Sequence, residues 1–472
     1  WGREEYLLAP LFGERLGRPE EIERRQRIFQ DLERPGVRGL IDEFATAMRT
    51  VREQRALASR RTHPVQQQAW LLESLRVYVG AAEALDRGLR RGRLESEGMR
   101  GFAAFLQTYV GTPGFRRLRD QGERLSRELA AVRFQVHLRG NHVRVTRDTG
   151  GADFTREVTT TFARFQDGVA PRRHQASGEG DEASAVEARI LDGVAGLYPQ
   201  LFGELSAFCD EHPQAIDATL RRFDREVQFF TAYLDQVHAL RRMGLEFSYP
   251  RISDSSRDLS VKGTFDVALA VKLARDHQTA VTNDVRLSGP ERVLVLTGPN
   301  QGGKTTFARA VGQLHHLAAL GCPVPGVDAQ VPLCDHILTV FPREEDSSLT
   351  RGRLEDDLVR ARQVLDGATP MSLVILNEVF SSTTLRDALA LSRRVLQRVI
   401  DLQLLCVCVT FLDELSRLGP STVSMVALVD PADPALRTFR VVRRPADGQA
   451  YAQALAEKHR LTESQVRERI VR

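Results

Sequence analysis

The sequence predicts a multidomain protein of mixed α and α/β class. A long helical part carries an inserted β-hairpin, and a C-terminal α/β domain follows. Three observations predict this. Apolar residues recur at three- and four-residue steps through most of the first 244 residues. Two short alternating runs on either side of Gly140-Asn141 interrupt them. From about residue 245 onward, short apolar runs alternate with helical patterns. A chain of 472 residues has room for about two to four domains and their cores.

Residues 1–131 read as helices. Val65, Ala69, Leu72, Leu75, Val79, Ala82 and Leu85 fall on one helical face, as core positions do. Residues 132–186 read as a β insertion followed by a flexible loop. Phe134–Arg139 and His142–Arg147 alternate apolar and polar around a Gly-Asn turn, a hairpin signal. Thr155 to Phe165 is expected to add a strand, and residues 167–185, rich in Gly, Ser and charge, to form a flexible connection. Arg133, Arg139, His142, Arg144 and Arg147 surround the hairpin. Such a tip can touch nucleic-acid phosphates, although an Arg-rich chain also places arginines on plain solvated surface. Residues 187–244 read as long helices. There Ile216, Leu220, Phe223, Val227, Phe230, Leu234 and Val237 step alternately by four and three, a heptad seam suited to a rigid arm. In residues 245–472 the strand candidates include 293–297, 372–376 and 404–410.

Composition bounds the partners. A net charge of +4 permits nucleic-acid binding only through local basic patches. The cysteines, at 209, 322, 334, 406 and 408, include no C-x-x-C pair, so neither a metal site nor a disulfide framework is expected, and a reducing cytoplasm fits. No apolar run of about 18 residues and no signal peptide occur, so no membrane association is expected. The chain opens at Trp1 without a methionine, which is expected of a fragment or processed chain missing an N-terminal portion.

The chemistry concentrates at Gly298-Pro299-Asn300-Gln301-Gly302-Gly303-Lys304-Thr305-Thr306. This matches G-x-x-x-x-G-K-[ST], the phosphate-binding P-loop, and it has the required context: a strand, Val293 to Thr297, before it and a helix after it. The glycines let backbone N–H groups converge on phosphate oxygens at a helix N-terminus. Lys304 is expected to reach the β- and γ-phosphates of ATP, and Thr305 to hold Mg²⁺. The chain has only four lysines, Lys262, Lys272, Lys304 and Lys458, so a lysine kept here among so many arginines points to a need for a compact ammonium. A second strand, Ser372 to Leu376, ends in Asn377-Glu378. In that place Glu378 would polarise an attacking water and Asn377 would sit in the metal shell. The polar run from Val379 through Thr383, Thr384 and Asp387 enters a helix, as a subunit-contact loop or as an ordinary helix cap.

On these residues the chain resembles the MutS family. Thr297 to Thr306 is similar to its T-G-P-N-x-G-G-K-S/T-T loop, and Ala280-Val281-Thr282-Asn283 falls where that family places residues beside the adenine. Asn377-Glu378 with Thr383, Thr384 and Asp387 resembles its D-E…G-T-S-T…D run, and Thr410-Phe411 to Glu414-Leu415 its T-H-x-x-E-L. Arg351 to Asp357 falls at its S-T-F-M-x-E signature. Asp447 to Ala456 with Leu461 to Arg469 is similar to its closing helical segment, and Arg24 to Phe29 to the start of its helical core. The resemblance is strong over 245–472 and mainly architectural before that.

The resemblance implies a helical core and lever domain, a DNA-contacting clamp inserted in it, and an ABC-like ATPase domain that dimerises. The implied activity is a DNA-binding, dimeric ATPase using ATP and Mg²⁺ to clamp mismatched or branched DNA in repair. The implied base-side residues are Val281 and Asn283; Glu378 and Lys304 are the implied catalytic pair. Three departures weaken hydrolysis: Asn377 for the usual Asp, Phe411 for the usual His, and Gly352 for the signature Ser. They favour an alternative, a nucleotide-gated DNA clamp or scaffold with little turnover. The family's mismatch-reading N-terminal domain has no counterpart in these residues, and no endonuclease-like domain is expected after them, so mismatch recognition is not expected to carry over. A transporter- or SMC-like ATPase is disfavoured, because no L-S-G-G-Q run occurs.

Overall fold

Proline placement sets much of the helical part. The computed structural model describes residues 2–139, 142–148, 179–342, 352–430, 432–433 and 436–446. Its first helices are α1 (Gly2–Gly13), α2 (Pro19–Leu32), α3 (Pro35–Arg60), α4 (Pro64–Arg91), α5 (Glu97–Val110) and α6 (Pro113–Ala130). Strands β1 (Phe134–Arg139) and β2 (His142–Arg147) follow, then α7 (Glu179–Leu197), α8 (Pro199–Glu211) and α9 (Ala218–Arg241). Helices α2, α3, α4, α6 and α8 open on proline, whose fixed φ suits the first turn and whose missing N–H costs nothing there.

The chain divides into two compact units, one of residues 34–94 and 99–227 and the other of 1–33, 95–98 and 228–472. In the first, Leu72, Leu75, Val79, Ala82 and Leu85 of α4 are buried as their spacing predicts, whereas Val65 is half-buried and Ala69 exposed, both in the helix's first two turns. Strands β1 and β2 form the expected hairpin, in register from Phe134↔Arg147 to Arg139↔His142. Val145 of β2 presses on α7 at Gly193, where a Cβ would lie 2.6 Å from the valine methyl. Arg147 stacks over the Tyr198 ring at 5.3 Å and donates to the Leu197 carbonyl, and the Tyr198 hydroxyl donates to the Arg133 carbonyl. Arg147 therefore braces the base of the hairpin through these contacts, although it and Arg144 are both exposed. The expected strand from Thr155 to Phe165 lies outside the described residues. Helix α7 begins at Glu179, inside the stretch expected to be a flexible connection; the rest of that connection up to 178 lies outside the described residues.

The heptad residues Leu220, Val227, Leu234 and Val237 of α9 are buried, but so are Phe229, Tyr233 and Leu240. Its buried positions are thus spread wider than a two-position seam.

The second unit adds β3 (Phe247–Ser248), β4 (Arg251–Ser253), β5 (Leu259–Thr264), α10 (Val267–Arg275), β6 (Asn283–Leu287), β7 (Val293–Thr297), α11 (Lys304–Ala319), β8 (Val324–Pro325), β9 (Asp328–Pro332) and β10 (Ile337–Val340). It continues through α12 (Arg353–Gly367), β11 (Leu373–Asn377), α13 (Leu385–Asp401), β12 (Leu405–Val409), a 3₁₀ turn at Asp413–Arg417, β13 (Thr422–Val429) and β14 (Arg437–Arg443). Six strands form one sheet in the order β10-β11-β12-β7-β13-β14, parallel except for β14 at the edge. A four-stranded sheet has the order β4-β9-β5-β6.

The inner strands β7, β11 and β12 are buried on both faces and so read as unbroken apolar runs. Leu294, Leu296, Ile375, Val407 and Met425 share one core with Phe307, Val311 and Leu314 of α11. Val293, Val295, Val374, Leu376 and Cys406 share the opposite core with Ala388, Leu396 and Val399 of α13. Asn377 pairs with Val409, and Val409 with Leu296, so the carboxyl ends of β7, β11 and β12 finish level. Ligand crevices in open α/β sheets open at that edge. Among the described residues, no helix is long and apolar enough to cross a membrane.

Candidate functional site

At the end of β7 the chain turns into α11 through three residues with left-handed backbone, Gly298 (φ 112°), Gln301 (φ 60°) and Gly303 (φ 93°). Gly298 permits both the angle and a close approach: a Cβ there would lie 2.8 Å from the Ala427 carbonyl oxygen on β13. Gly302 is buried with equally little room, its absent Cβ falling 2.9 Å from the Pro299 oxygen. Left-handed residues alternating with right-handed ones turn successive N–H groups to one side, the concavity that anions occupy. Lys304, the first residue of α11, is buried, and its ammonium donates to the carbonyls of Gly298 (2.9 Å) and Pro299 (3.0 Å). Burial lowers the Lys304 pKa below its ordinary range; the Glu378 carboxylate opposes this and Arg437 adds to it.

The second strand end lies alongside. Asn377, the last residue of β11, is buried, and its side-chain oxygen accepts the Thr305 hydroxyl at 3.1 Å. Glu378 follows with φ 52°, half-buried, its N–H donating to the Val409 carbonyl at 2.9 Å.

Glu378, Lys304, Thr305, Thr306, Asn300, Gln301, Gly302 and Gly303 line one cleft of about 940 Å³, which also takes in Val281 and Asn283. That volume is within the range of small-molecule and cofactor sites. Gly298 and Pro299 meet it through the Lys304 ammonium. Both ends of the Asn283 amide are engaged by β14: its NH₂ donates to the Phe439 carbonyl at 3.2 Å and its oxygen accepts the Val441 N–H at 2.7 Å. It is therefore a strut for β14 as well as a wall of the cleft.

The donor set fits the groups that the motif implies. Among the described residues, no cluster of three or more His, Cys, Asp or Glu side chains could hold a metal by itself. Mg²⁺ does not require one, since it keeps waters and takes few protein ligands beside phosphate oxygens. Thr305 and Asn377 offer a hydroxyl and an amide oxygen at one spot, and the loop offers an anion cradle next to it.

Sequence reasoning missed three neighbours. Phe439 of β14 has φ 57°, lines the cleft and sits 3.7 Å from where a Cβ of Gly303 would be. Arg437 donates to the Asn300 carbonyl at 3.1 Å, bracing the loop from outside. Asp266 caps α10 through the Leu269 N–H and pairs with Arg309 of α11 at 2.8 Å, joining two walls of the cleft. Nothing in β14's alternation announces its approach to the loop, whereas an Asp directly before an apolar helix was a readable cap signal. Phe411, read as a departure, is half exposed with its ring 5.3 Å from the Lys304 ammonium. Gly352 is the N-cap of α12; Arg351 and the segment from Asp447 to Arg469 lie outside the described residues.

Residues 294–466 match the family described as MutS domain V. DNA mismatch repair protein MutS of Chlamydia muridarum is 31% identical over 220 residues, 46% of this chain and 25% of that protein. The protein of that name from Shouchella clausii is 26% identical over 223 residues, 47% of this chain and 25% of its own length. That of Chlorobaculum tepidum is 27% identical over 257 residues, 53% and 28% respectively. The matched region thus spans about a quarter of the curated relatives.

Proposed function

Since the chain belongs to the MutS family, we propose that it is a dimeric, DNA-binding ATPase that couples ATP binding and hydrolysis to clamping of mismatched or branched DNA in repair. The observation that carries this reading is the union of two strand ends: Lys304 and Thr305 on one, Asn377 and Glu378 on the other, in a single cleft. Gly298 to Thr306 cradle the phosphates with N–H groups, and Lys304 exchanges its two carbonyl partners for phosphate oxygens. Val281 and Asn283 flank the base. Thr305 and Asn377 hold Mg²⁺, which when bound neutralises charge on the terminal phosphates. Glu378 accepts the proton of the attacking water. The dimer forms through the ATPase domain, and exposed hairpin arginines such as Arg144 meet DNA phosphates, a contact that sets affinity without reading sequence.

A second reading has its own observation. Asn377 brings no charge to the metal position, and Phe411 presents a ring face to Lys304 where a histidine would bring a hydrogen-bonding nitrogen. Both favour a nucleotide-gated clamp that hydrolyses slowly. Steady-state ATP hydrolysis and equilibrium ATP binding by wild type, Lys304→Ala and Glu378→Ala, with duplex, mismatched and branched DNA, separate the two. Turnover lost in Glu378→Ala and altered by one DNA form supports the ATPase. ATP binding that shifts DNA affinity without turnover supports the clamp. Unchanged ATP affinity in Lys304→Ala refutes both.

A further inference from the structure

The base Glu378 stands on an unusual piece of backbone. Glu378 and Phe380 both occupy the left-handed region, at φ 52° and 64°. A bulky residue at positive φ is an outlier, held only where its surroundings over-determine it. Three contacts do so here. The Glu378 N–H donates to the Val409 carbonyl at 2.9 Å. The Phe380 ring is 1% exposed, in the core beneath α13. The Phe380 N–H donates to one carboxylate oxygen of Asp357 on α12, at 3.2 Å.

The first two pins come from the sheet and the core, which any stable version of this fold keeps. The third is a single side chain reaching in from another element. Asp357 is half-buried, and burial raises its pKa above the ordinary carboxylate range, against the Phe380 N–H and the nearby Arg360 and Arg353. A carboxylate kept where its charge is disfavoured signals a role beyond solubility.

Resting on the reading of Glu378 as the base, we propose that Asp357 is a positioning residue: its bond to the Phe380 N–H holds the Glu378-Val379-Phe380 turn so that the Glu378 carboxylate points into the cleft. With the bond lost, the turn relaxes toward ordinary φ values and Glu378 swings away. Nucleotide binding is unaffected, because the loop from Gly298 to Thr306 has no contact with Asp357 among those described.

The test uses the full chain with Asp357→Ala and Asp357→Asn, the second keeping an oxygen that can accept the N–H. For Asp357→Ala, kcat is expected to fall roughly ten- to hundredfold with ATP affinity unchanged, and for Asp357→Asn no more than about fivefold. In a Glu378→Gln background, Asp357→Ala should cost almost nothing further, since it acts only through Glu378. Hydrogen exchange of the peptide around Phe380 should speed up in Asp357→Ala and stay slow in Asp357→Asn, a readout that needs no turnover. Normal kcat in Asp357→Ala, an equal loss in both variants, a full further loss in the Glu378→Gln background, or unchanged Phe380 exchange would each overturn the proposal. If Glu378→Gln itself leaves turnover intact, the assignment of the base falls instead, and exchange alone then judges the Asp357 bond.

Discussion

Substituting Asn377→Asp changes one charge and almost no shape. Asn377 is 5% exposed and accepts the Thr305 hydroxyl at 3.1 Å, a bond that an aspartate oxygen keeps. Without nucleotide the new carboxylate is desolvated, so its pKa in the fold rises above its ordinary value of about 3.9. A carboxyl raised on folding contributes stability that is present below its unfolded pKa and lost as pH rises through its folded pKa. At pH 7 the variant should therefore be less stable than wild type, by about 1–3 kcal/mol. That is a fall in Tm of roughly 2–10 °C. Mg²⁺–ATP reverses the sign. At about 4 Å and an effective dielectric near 20, one added unit charge gains on the order of 4 kcal/mol per charge on the metal. This exceeds the desolvation cost, so Mg²⁺–ATP should bind at least roughly tenfold tighter and turnover should rise. Thermal unfolding of both proteins, with ATP plus either Mg²⁺ or a chelator, gives the answer. The variant should melt lower alone and gain more from Mg²⁺–ATP. An equal Mg²⁺-dependent gain in the two proteins would refute a metal at Asn377 and leave the Thr305 bond as a structural contact.

Three other expectations follow from single contacts. His315, fully buried on α11, has its pKa pushed down from 6.5 to about 4 by burial, with the Val311 carbonyl opposing. It folds neutral, so its contribution, on the order of 3 kcal/mol, is present above pH 6.5 and lost as pH falls toward 4; His315→Leu should flatten stability across that window, and an NMR titration of His315 near 6.5 would contradict this. Gly298→Ala must place a Cβ 2.8 Å from the Ala427 oxygen at φ 112°, so it should cost at least about 1–3 kcal/mol and abolish ATP binding, while Gly352→Ala, with nothing within 4 Å, should unfold like wild type; equal melting of the two variants would dismiss the strain. Arg144→Ala should weaken DNA binding and reduce the dependence of log affinity on log salt by about 1, whereas Arg147→Ala, losing its stack on Tyr198, should lower stability; the reverse assignment in salt titrations and melting curves would remove the hairpin from the DNA surface.

The α/β domain was legible because its signals are local. Unbroken apolar runs such as Leu405–Val409 imply strands buried on both faces, and β7, β11 and β12 begin and end within one residue of their expected bounds. The loop from Gly298 to Thr306 was legible because its chemistry requires particular residues in consecutive places. What stayed hidden is pairing across the chain. Asn283 meets Phe439 and Val441 more than 150 residues away, and no local rule encodes that register. Phe380 at positive φ has no sequence signature either, since glycine is the residue that announces such angles. The arginines of the hairpin were read as one group; Arg144 and Arg147 are both exposed, and what distinguishes Arg147 is its contacts with Tyr198 and Leu197.

The departures around Lys304 act in one direction. Asn377 accepts the Thr305 hydroxyl, a bond that an acid could also accept, and Phe411 keeps contact with the ammonium through its ring face, worth about 0.5–1 kcal/mol at a half-exposed site. Each of these two departures from the family's usual residue removes a charge or a proton-carrying group. On the proposed reading, the phosphates are positioned by the loop and Lys304 and the proton is taken by Glu378, all of them kept, whereas charge neutralisation at the metal rests on position 377, where Asn stands. On that reading binding and turnover are separable, and of the two described carboxylates lining the cleft, Asp266 is paired with Arg309 and Glu378 faces the strand ends. The orientation of Glu378, which we propose is set by the strained turn at Phe380, would then weigh more on the rate than it would in a site with several acids sharing the task.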